Sequence, residues 1–239
     1  MPHSIMEIQS LSKSFGDLEV LREVTLQLRR GEIYGLLGPS GSGKTTLIKM
    51  MIGLEKPSVG TITFNQKPLS SKDLFYNIGY MAQGDALYNE LSAYENLDFF
   101  ASMYGMKKSE RKMRILELME MVELSSALHK PVSLYSGGMR RRLSLITAML
   151  HQPKILILDE PTVGIDPVLR QKIWAKFQEL KSDGVSLFIT THVMDEAEKC
   201  DVLGLIRDGH LIANDTPNQI KETFHVTTME DVFLKMEGN

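Results

Sequence analysis

Hydrophobic and polar positions alternate with period two at the start of the chain, take a helical period in the middle, and return to short apolar runs near the end. Ile5 to Ser10 reads Ile, Met, Glu, Ile, Gln, Ser, and Val24, Leu26 and Leu28 alternate with Thr25, Gln27 and Arg29. Thr61 to Phe64 is a third β-like run, closed by Asn65 with Pro68 soon after. Such alternation predicts half-buried antiparallel strands. Ile33 to Leu37 is a short apolar run with Gly31 and Gly38 at its flanks, which predicts a strand buried on both faces.

From Ala93 to about Leu150 the chain is rich in Leu, Met, Glu, Lys and Arg. Ser109 is a candidate N-cap for a helix in which Ile115, Leu118, Met119 and Val122 recur at helical spacing. A second helix fits Gly138 to His151, with Leu143, Ile146, Thr147 and Leu150 on one face and Pro153 just past its end. Alternation of strand and helix then resumes: Ile155 to Leu158, a Pro-initiated helix over Pro167 to Leu180, Val185 to Thr190, a short helix over Met194 to Lys199, and Val202 to Ile206. The pattern is an α/β core interrupted by a helical insertion of roughly 60 residues that shares its sheet.

Composition narrows the class. At ~150 residues per domain, 239 residues make one large domain or two small ones. With 43% hydrophobic residues and a net charge of −3, the chain can bury a core and is unlike a disordered segment or a basic nucleic-acid binder. The single cysteine, Cys200, allows no internal disulfide and fits a reducing cytoplasm. Uncharged stretches such as Ile33 to Gly43 reach only about half of the ~20 apolar residues a spanning helix needs. Glu7 and Lys13 interrupt any apolar start, so no signal peptide is expected.

Gly38-Pro39-Ser40-Gly41-Ser42-Gly43-Lys44-Thr45 fits G-x-x-x-x-G-K-[ST] at every fixed position, between the buried strand Ile33 to Leu37 and a helix-like run from Thr46 to Ile52. Glycines let the backbone curl so that several N–H groups face a phosphate, and the next helix adds its positive dipole end. Lys44 would bridge the terminal phosphates and the Thr45 hydroxyl would ligate Mg²⁺. The alternative is a Gly/Ser turn that happens to carry a lysine. The apolar strand Ile155 to Leu158 ends in Asp159-Glu160. Asp159 could hold Mg²⁺ through its water shell and Glu160 could activate a water as general base. Without the phosphate loop these acids would read as a solvated turn. No Asn-Lys-x-Asp motif reads a guanine base.

Leu134-Tyr135-Ser136-Gly137-Gly138-Met139 stands before a helix and about 20 residues ahead of the two acids. With the phosphate loop it resembles the signature motif of ABC-type ATPases, and the family's other motifs follow in order. Phe15 resembles the aromatic that stacks on adenine, Gln83 after the strand-like Ile78 to Met81 the Q-loop glutamine, Val163-Gly164-Ile165-Asp166 the D-loop, and Thr190-Thr191-His192 the switch histidine. The resemblance covers essentially the whole chain. It implies a P-loop NTPase (RecA-like) core with an N-terminal antiparallel β-subdomain, over residues 1–85 and 152–239, and a helical subdomain over about 86–151, in one domain spanning 1–239.

It further implies two such chains sandwiching two ATPs head to tail. Each ATP would touch Phe15, residues 38–46 including Thr46, and Gln83 of one subunit, and Ser136, Gly137 and Gly138 of the other. Thr45, Gln83 and Asp159 would hold Mg²⁺; Glu160, Lys44, Gln83, His192 and Asp166 would serve hydrolysis. His192 would touch the γ-phosphate, and Asp166 would connect the two sites. The other five histidines show no paired spacing for a metal. Tyr135 and Met139 depart from the commoner Leu and Gln, and Phe15 from Tyr. Arg140 to Arg142 reads as a solvated or dimer-facing triplet, not a nucleic-acid patch. Met103, Met106, Met113, Met119 and Met121 read mostly as core, with a few toward a transporter's coupling helix.

The expected protein is the ATP-hydrolysing subunit of an ABC transporter, at the cytoplasmic face of the membrane, paired with an identical or different ATPase beneath separately encoded permease subunits. Gly84 to Asn96, Leu97 to Tyr104, Tyr-Ser-Gly-Gly-Met and Met229-Glu230-Asp231-Val232-Phe233-Leu234 resemble the drug- and lipid-export group, which favours export. The tail after Leu234 is short, and the added regulatory domain of many importer ATPases is accordingly not expected. The rivals are a ribosome- or chromosome-acting ABC ATPase and a small-molecule kinase. One copy of each motif and no heptad array stand against the first, and Ser-Gly-Gly against the second.

Overall fold

The computed structural model describes residues 4–84 and 86–237. The ends of the expected domain and residue 85, in the Gly84 to Asn96 stretch, lie outside the described residues. In chain order come β1 (Ser4–Phe15), β2 (Leu18–Arg29), β3 (Ile33–Leu37), α1 (Lys44–Met51), β4 (Val59–Phe64), β5 (Lys67–Pro68), α2 (Ser71–Asn77) and β6 (Ile78–Met81). The middle holds α3 (Ala93–Met103), α4 (Lys108–Met121) and α5 (Gly137–Met149). Then follow β7 (Ile155–Asp159), α6 (Pro167–Ser182), β8 (Ser186–Thr191), α7 (Met194–Ala197), β9 (Val202–Arg207), β10 (His210–Asp215), α8 (Pro217–Thr223) and α9 (Met229–Glu237).

Two sheets form. The first has the order β2-β1-β4-β5 and is antiparallel. Its hairpin is longer than the alternation predicts, because β1 continues past an irregularity between Ile8 and Leu11 where Ser10 takes φ 45°. The second sheet has the order β10-β9-β3-β8-β7-β6, with parallel pairing throughout except at β10. Every residue of β3, β7 and β8 is buried, as a parallel strand covered on both faces must be.

Period two sorts that burial into two cores. Ile155 and Ile157 of β7 pack with Ile48 and Met51 of α1 and with the first sheet. Leu156 and Leu158 pack on the opposite face with α3, α4, α5 and α6. The helices between residues 93 and 149 therefore share one apolar cluster with the parallel sheet. Ser92 starts α3 with a capping box closed by Glu95, and the fully buried Asn96 ties the preceding loop through Tyr88 N (2.8 Å) and Tyr88 O (3.0 Å).

Some local expectations are corrected. Lys107, not Ser109, is the N-cap of α4: Glu110 reaches back to the Lys107 N–H (3.3 Å), which places Ser109 inside the first turn. The short helix expected over Met194 to Lys199 ends at Ala197. Among the five methionines, Met119 is buried and Met106 and Met121 pack at the edge of the core, but Met103 and Met113 are exposed. Helix α2 and the exposed edge strand β10 have no sequence expectation, because neither buries a full apolar stripe.

His151, between α5 and β7, lies flat against Tyr104 with ring centroids 3.8 Å apart, and its Nε2 faces Ile78 O at 3.2 Å. Burial disfavours the imidazolium and pushes its pKa down to about 4, opposed by the Ile78 carbonyl. Between that value and the unfolded pKa of about 6.5, the unfolded chain binds the extra proton. This contribution to stability is complete above pH ~6.5 and is lost as the pH falls toward 4. The wild-type melting temperature should accordingly drop more between pH 7 and pH 5 than that of His151→Phe, which keeps a ring on Tyr104. Parallel slopes for the two proteins in thermal melts would exclude His151 as the titrating group.

Candidate functional site

The turn after β3 bends because its glycines permit it. Gly43 has φ +103°, and a Cβ there would lie 2.6 Å from Leu21 Cδ2. A Cβ on Gly38 would lie 2.3 Å from Ile206 O. The loop thus closes tightly enough for α1 to begin at Lys44 with its N-terminal N–H groups facing outward into a cavity of about 350 Å³. Val20, Ser40, Gly41, Gly43, Lys44, Thr45, Thr46, Gln83, Asp159 and Glu160 line it. The parallel sheet accounts for this gathering. Strands β3, β6 and β7 all point their carboxyl ends to the same edge, and each ends at one of these groups.

Lys44 Nζ donates to Gly38 O (2.7 Å) and Pro39 O (2.8 Å), so the ammonium is held by its own loop. Burial lowers its pKa, while Glu160 and Asp159 pull it back up. Thr45 Oγ1 donates to Asp159 Oδ2 (3.3 Å), and Thr190 Oγ1 donates to Asp159 Oδ1 (2.5 Å). Ser42 Oγ is buried without a hydrogen-bond partner among the described residues. A cradle closed by Cβ-free positions, an orphaned buried hydroxyl, a cation and a hydroxyl–carboxylate pair form a donor set that fits a polyphosphate with a divalent cation.

Glu160 sits just beyond β7 with φ +52°, a conformation that costs a non-glycine residue roughly 1–3 kcal/mol. Its N–H is fixed by Thr190 O (3.1 Å) and Thr190 Oγ1 (3.0 Å). Its carboxylate Oε1 lies 3.1 Å from Nδ1 of the half-exposed His192. Beneath His192, the fully buried Glu196 accepts from Thr191 Oγ1 (2.7 Å) and Thr162 Oγ1, bracing the turns on either side. Nothing local in the sequence marks Glu196 or Thr162, because an acid in a short helix reads as solvated.

The remaining expected residues lie apart from the cavity wall. Ser136 caps α5 by accepting from Met139 N (3.2 Å), which leaves its hydroxyl proton free, and Gly137 is exposed beside it. A Cβ on Gly138 would stand 3.1 Å from Gly164 O, so the turn carrying Ser136 abuts the turn carrying Asp166 within one chain. Asp166 caps α6 through Leu169 N (3.0 Å). Phe15 is exposed at the hairpin end, with Lys13 Nζ 4.6 Å above its ring, and the wall residue from this hairpin is Val20. Tyr135 is buried and its hydroxyl donates to Ala127 O (2.7 Å), which pins the residue before Ser136.

The basic triplet departs most from expectation. Arg141 is buried, not solvated: its guanidinium donates to Ala82 O (3.0 Å), Gln83 O (2.8 Å), Glu160 O (2.6 Å) and Asp159 O. Arg142 also turns inward, to Val122 O (2.9 Å) and Gly138 O (3.2 Å). The physical reason is local demand: backbone carbonyls at the ends of β6 and β7 and of α4 face this side of α5, and guanidinium supplies donors for them.

Comparison with known proteins agrees with this geometry. Residues 21–163 match the family model described as ABC transporter. The chain is 38% identical over 98% of its length to the "Probable multidrug ABC transporter ATP-binding protein YbhF" of Escherichia coli, of which it spans 42%. It is 36% identical over 91% of its length to the "Nod factor export ATP-binding protein I" of Cupriavidus pinatubonensis, of which it spans 68%. The chain thus spans about two fifths of the first of these relatives. The solved "Structure of ATP binding subunit of ABC transporter" superposes with a TM-score of 0.91 at 28% identity, covering 98% of this chain and all of that one. With the phosphate cradle, the strand-end acids and the Ser-Gly-Gly helix start on one α/β frame, this chain belongs to the ABC transporter family and forms an ATP-binding domain of it.

Proposed function

We propose that the domain hydrolyses ATP in a head-to-tail pair with a second copy or a close relative, and that the cycle drives export through membrane-spanning partner subunits. One observation supports this most: Lys44, Thr45, Gln83, Asp159 and Glu160 line a single cavity, with Glu160 held by His192. On this reading Lys44 leaves the Gly38 and Pro39 carbonyls for the terminal phosphates. Glu160 takes a proton from the attacking water, and His192 keeps the carboxylate aimed. Thr45, Asp159 and Gln83 would hold Mg²⁺, which when bound neutralises charge on the phosphate oxygens. Phe15 supplies a ring face for adenine and Val20 an apolar wall beside it. Ser136, Gly137 and Gly138, at a helix start outside the cavity, serve the partner's γ-phosphate, and Asp166 lies where the two sites meet.

No helix among the described residues is long and apolar enough to cross a membrane, so transport requires membrane-spanning segments beyond them. The exposed Tyr88, Phe99 and Met103, near the loop that follows Gln83, are the proposed landing surface for such a partner at the cytoplasmic face. Export is favoured by the Met229 to Leu234 segment and by the export role in the name of the Nod factor relative. The reading is tested by phosphate release from the purified protein and by identifying the integral protein that co-purifies from native membranes. Lys44→Ala should weaken ATP binding by about 2–5 kcal/mol, a factor of roughly 30 or more, with the fold intact. Near wild-type affinity in a folded Lys44→Ala protein, measured by nucleotide titration, overturns the assignment of the cradle.

A further inference from the structure

Strands β6 and β7 are parallel neighbours whose last paired residues are Met81 and Leu158. Beyond that pair the chains diverge, one toward Gln83 and the other into the left-handed turn at Glu160. The carbonyls of Ala82, Gln83, Asp159 and Glu160 all converge on one side chain, Arg141, which comes from a different part of the fold, one turn into α5. A guanidinium is a planar fork of five N–H donors, and here Nη1 takes the two carbonyls of the β6 side while Nη2 takes the two of the β7 side. The group is only 8% exposed, so these bonds are not exchanged freely for water.

We infer that Arg141 is a positioning residue that sets the separation of Gln83 and Glu160 and ties both to the helix that starts at Ser136. The inference rests on the proposed roles of Gln83 and Glu160. Glu160 illustrates the need. Its positive φ must be held against relaxation: Thr190 holds its N–H, and its C=O accepts from Arg141 (2.6 Å) and, at longer range, from Val163 N (3.3 Å). Gln83 hangs from the same guanidinium, so neither group can shift without the other or without α5. Lysine cannot replace this function, because an ammonium on a flexible stem presents a point charge and not a fork that spans two loops.

The test uses the full chain with Arg141→Lys and Arg141→Gln, beside wild type and Glu160→Gln. Three quantities are read: affinity for a fluorescent ATP analogue, steady-state kcat and KM, and hydrogen exchange of peptides covering residues 78–84 and 156–163. The expected result is a kcat lowered roughly 10- to 100-fold, as for a misplacement near 1 Å, with nucleotide affinity within about threefold of wild type. Exchange should rise in both peptides together and nowhere else, and Arg141→Lys should not recover the rate. A folded Arg141→Lys protein with kcat within about twofold of wild type overturns the inference. So does exchange that rises in only one of the two peptides, or throughout the chain, since Arg141 would then serve one loop or the fold at large. Wild-type turnover in Glu160→Gln would instead overturn the proposed base. The exchange result judges Arg141 independently of that outcome.

Discussion

Glu160→Gln is expected to lower kcat by roughly 100- to 10,000-fold, the range a positioned general base supplies, while ATP binds as before. The amide keeps the shape of the side chain and can still meet His192 Nδ1, 3.1 Å away in the wild type, so the turn at Glu160 need not rearrange. What it loses is the capacity to accept a proton from water. With ATP bound and not consumed, the head-to-tail pair should accumulate as a stable dimer on gel filtration in Mg-ATP and fall apart in Mg-ADP. Phosphate release from Glu160→Gln at close to the wild-type rate would remove Glu160 from the role of base.

Complementation between two inactive variants should give the second large effect. Gly137 is the position for it, because a Cβ there meets nothing within 4 Å, whereas one on Gly138 would press on Gly164 O at 3.1 Å. An aspartate at Gly137 stands in the first turn of α5, where the helix dipole favours an acid by about 0.3–1 kcal/mol. Gly137→Asp should therefore fold and bind ATP as a monomer. In the proposed dimer its carboxylate faces the partner's γ-phosphate, and like-charge repulsion in a desolvated interface costs several kcal/mol. ATP hydrolysis by Gly137→Asp alone should fall below detection, as it should for Lys44→Ala. Mixed together, the two variants recombine into a dimer with one intact site, made from the phosphate loop of the first and the Ser136 helix of the second. ATPase rate against mixing ratio should then rise and fall with a maximum near equal amounts. A flat, inactive profile argues against head-to-tail sharing, as does loss of monomer ATP binding in Gly137→Asp.

Much of the site is legible in the chain because its parts are contiguous. Residues 38–45 form one turn whose shape follows from its glycines, and Asp159-Glu160 ends a run too apolar to be anything but an interior strand. Ser136 before Gly137 announces a helix start, and Asp166 before Pro167 another. The expected membership of these residues in one protein family came from their order, and the family match over residues 21–163 agrees with it. Contiguity also explains the boundaries that went astray. Ser109 has the chemistry of an N-cap, yet the helix starts at Lys107, where Glu110 three residues on reaches back to the Lys107 N–H.

By itself, then, the chain determined the phosphate loop, the strand-end acids, the helix starts and the alternation of buried strands, because each depends on backbone preferences and on side chains within a few residues of one another. Tertiary structure decided the rest. It buried Arg141 from a triplet that reads as solvated, since four backbone carbonyls at and just beyond the ends of two strands meet there and only folding brings them within reach of one guanidinium. It placed Val20 and not Phe15 on the cavity wall, and it put Glu196 under the His192 turn against Thr162 and Thr191. A buried polar group must find partners, and which partners are available is set by segments far apart in sequence, so no local pattern can reveal them.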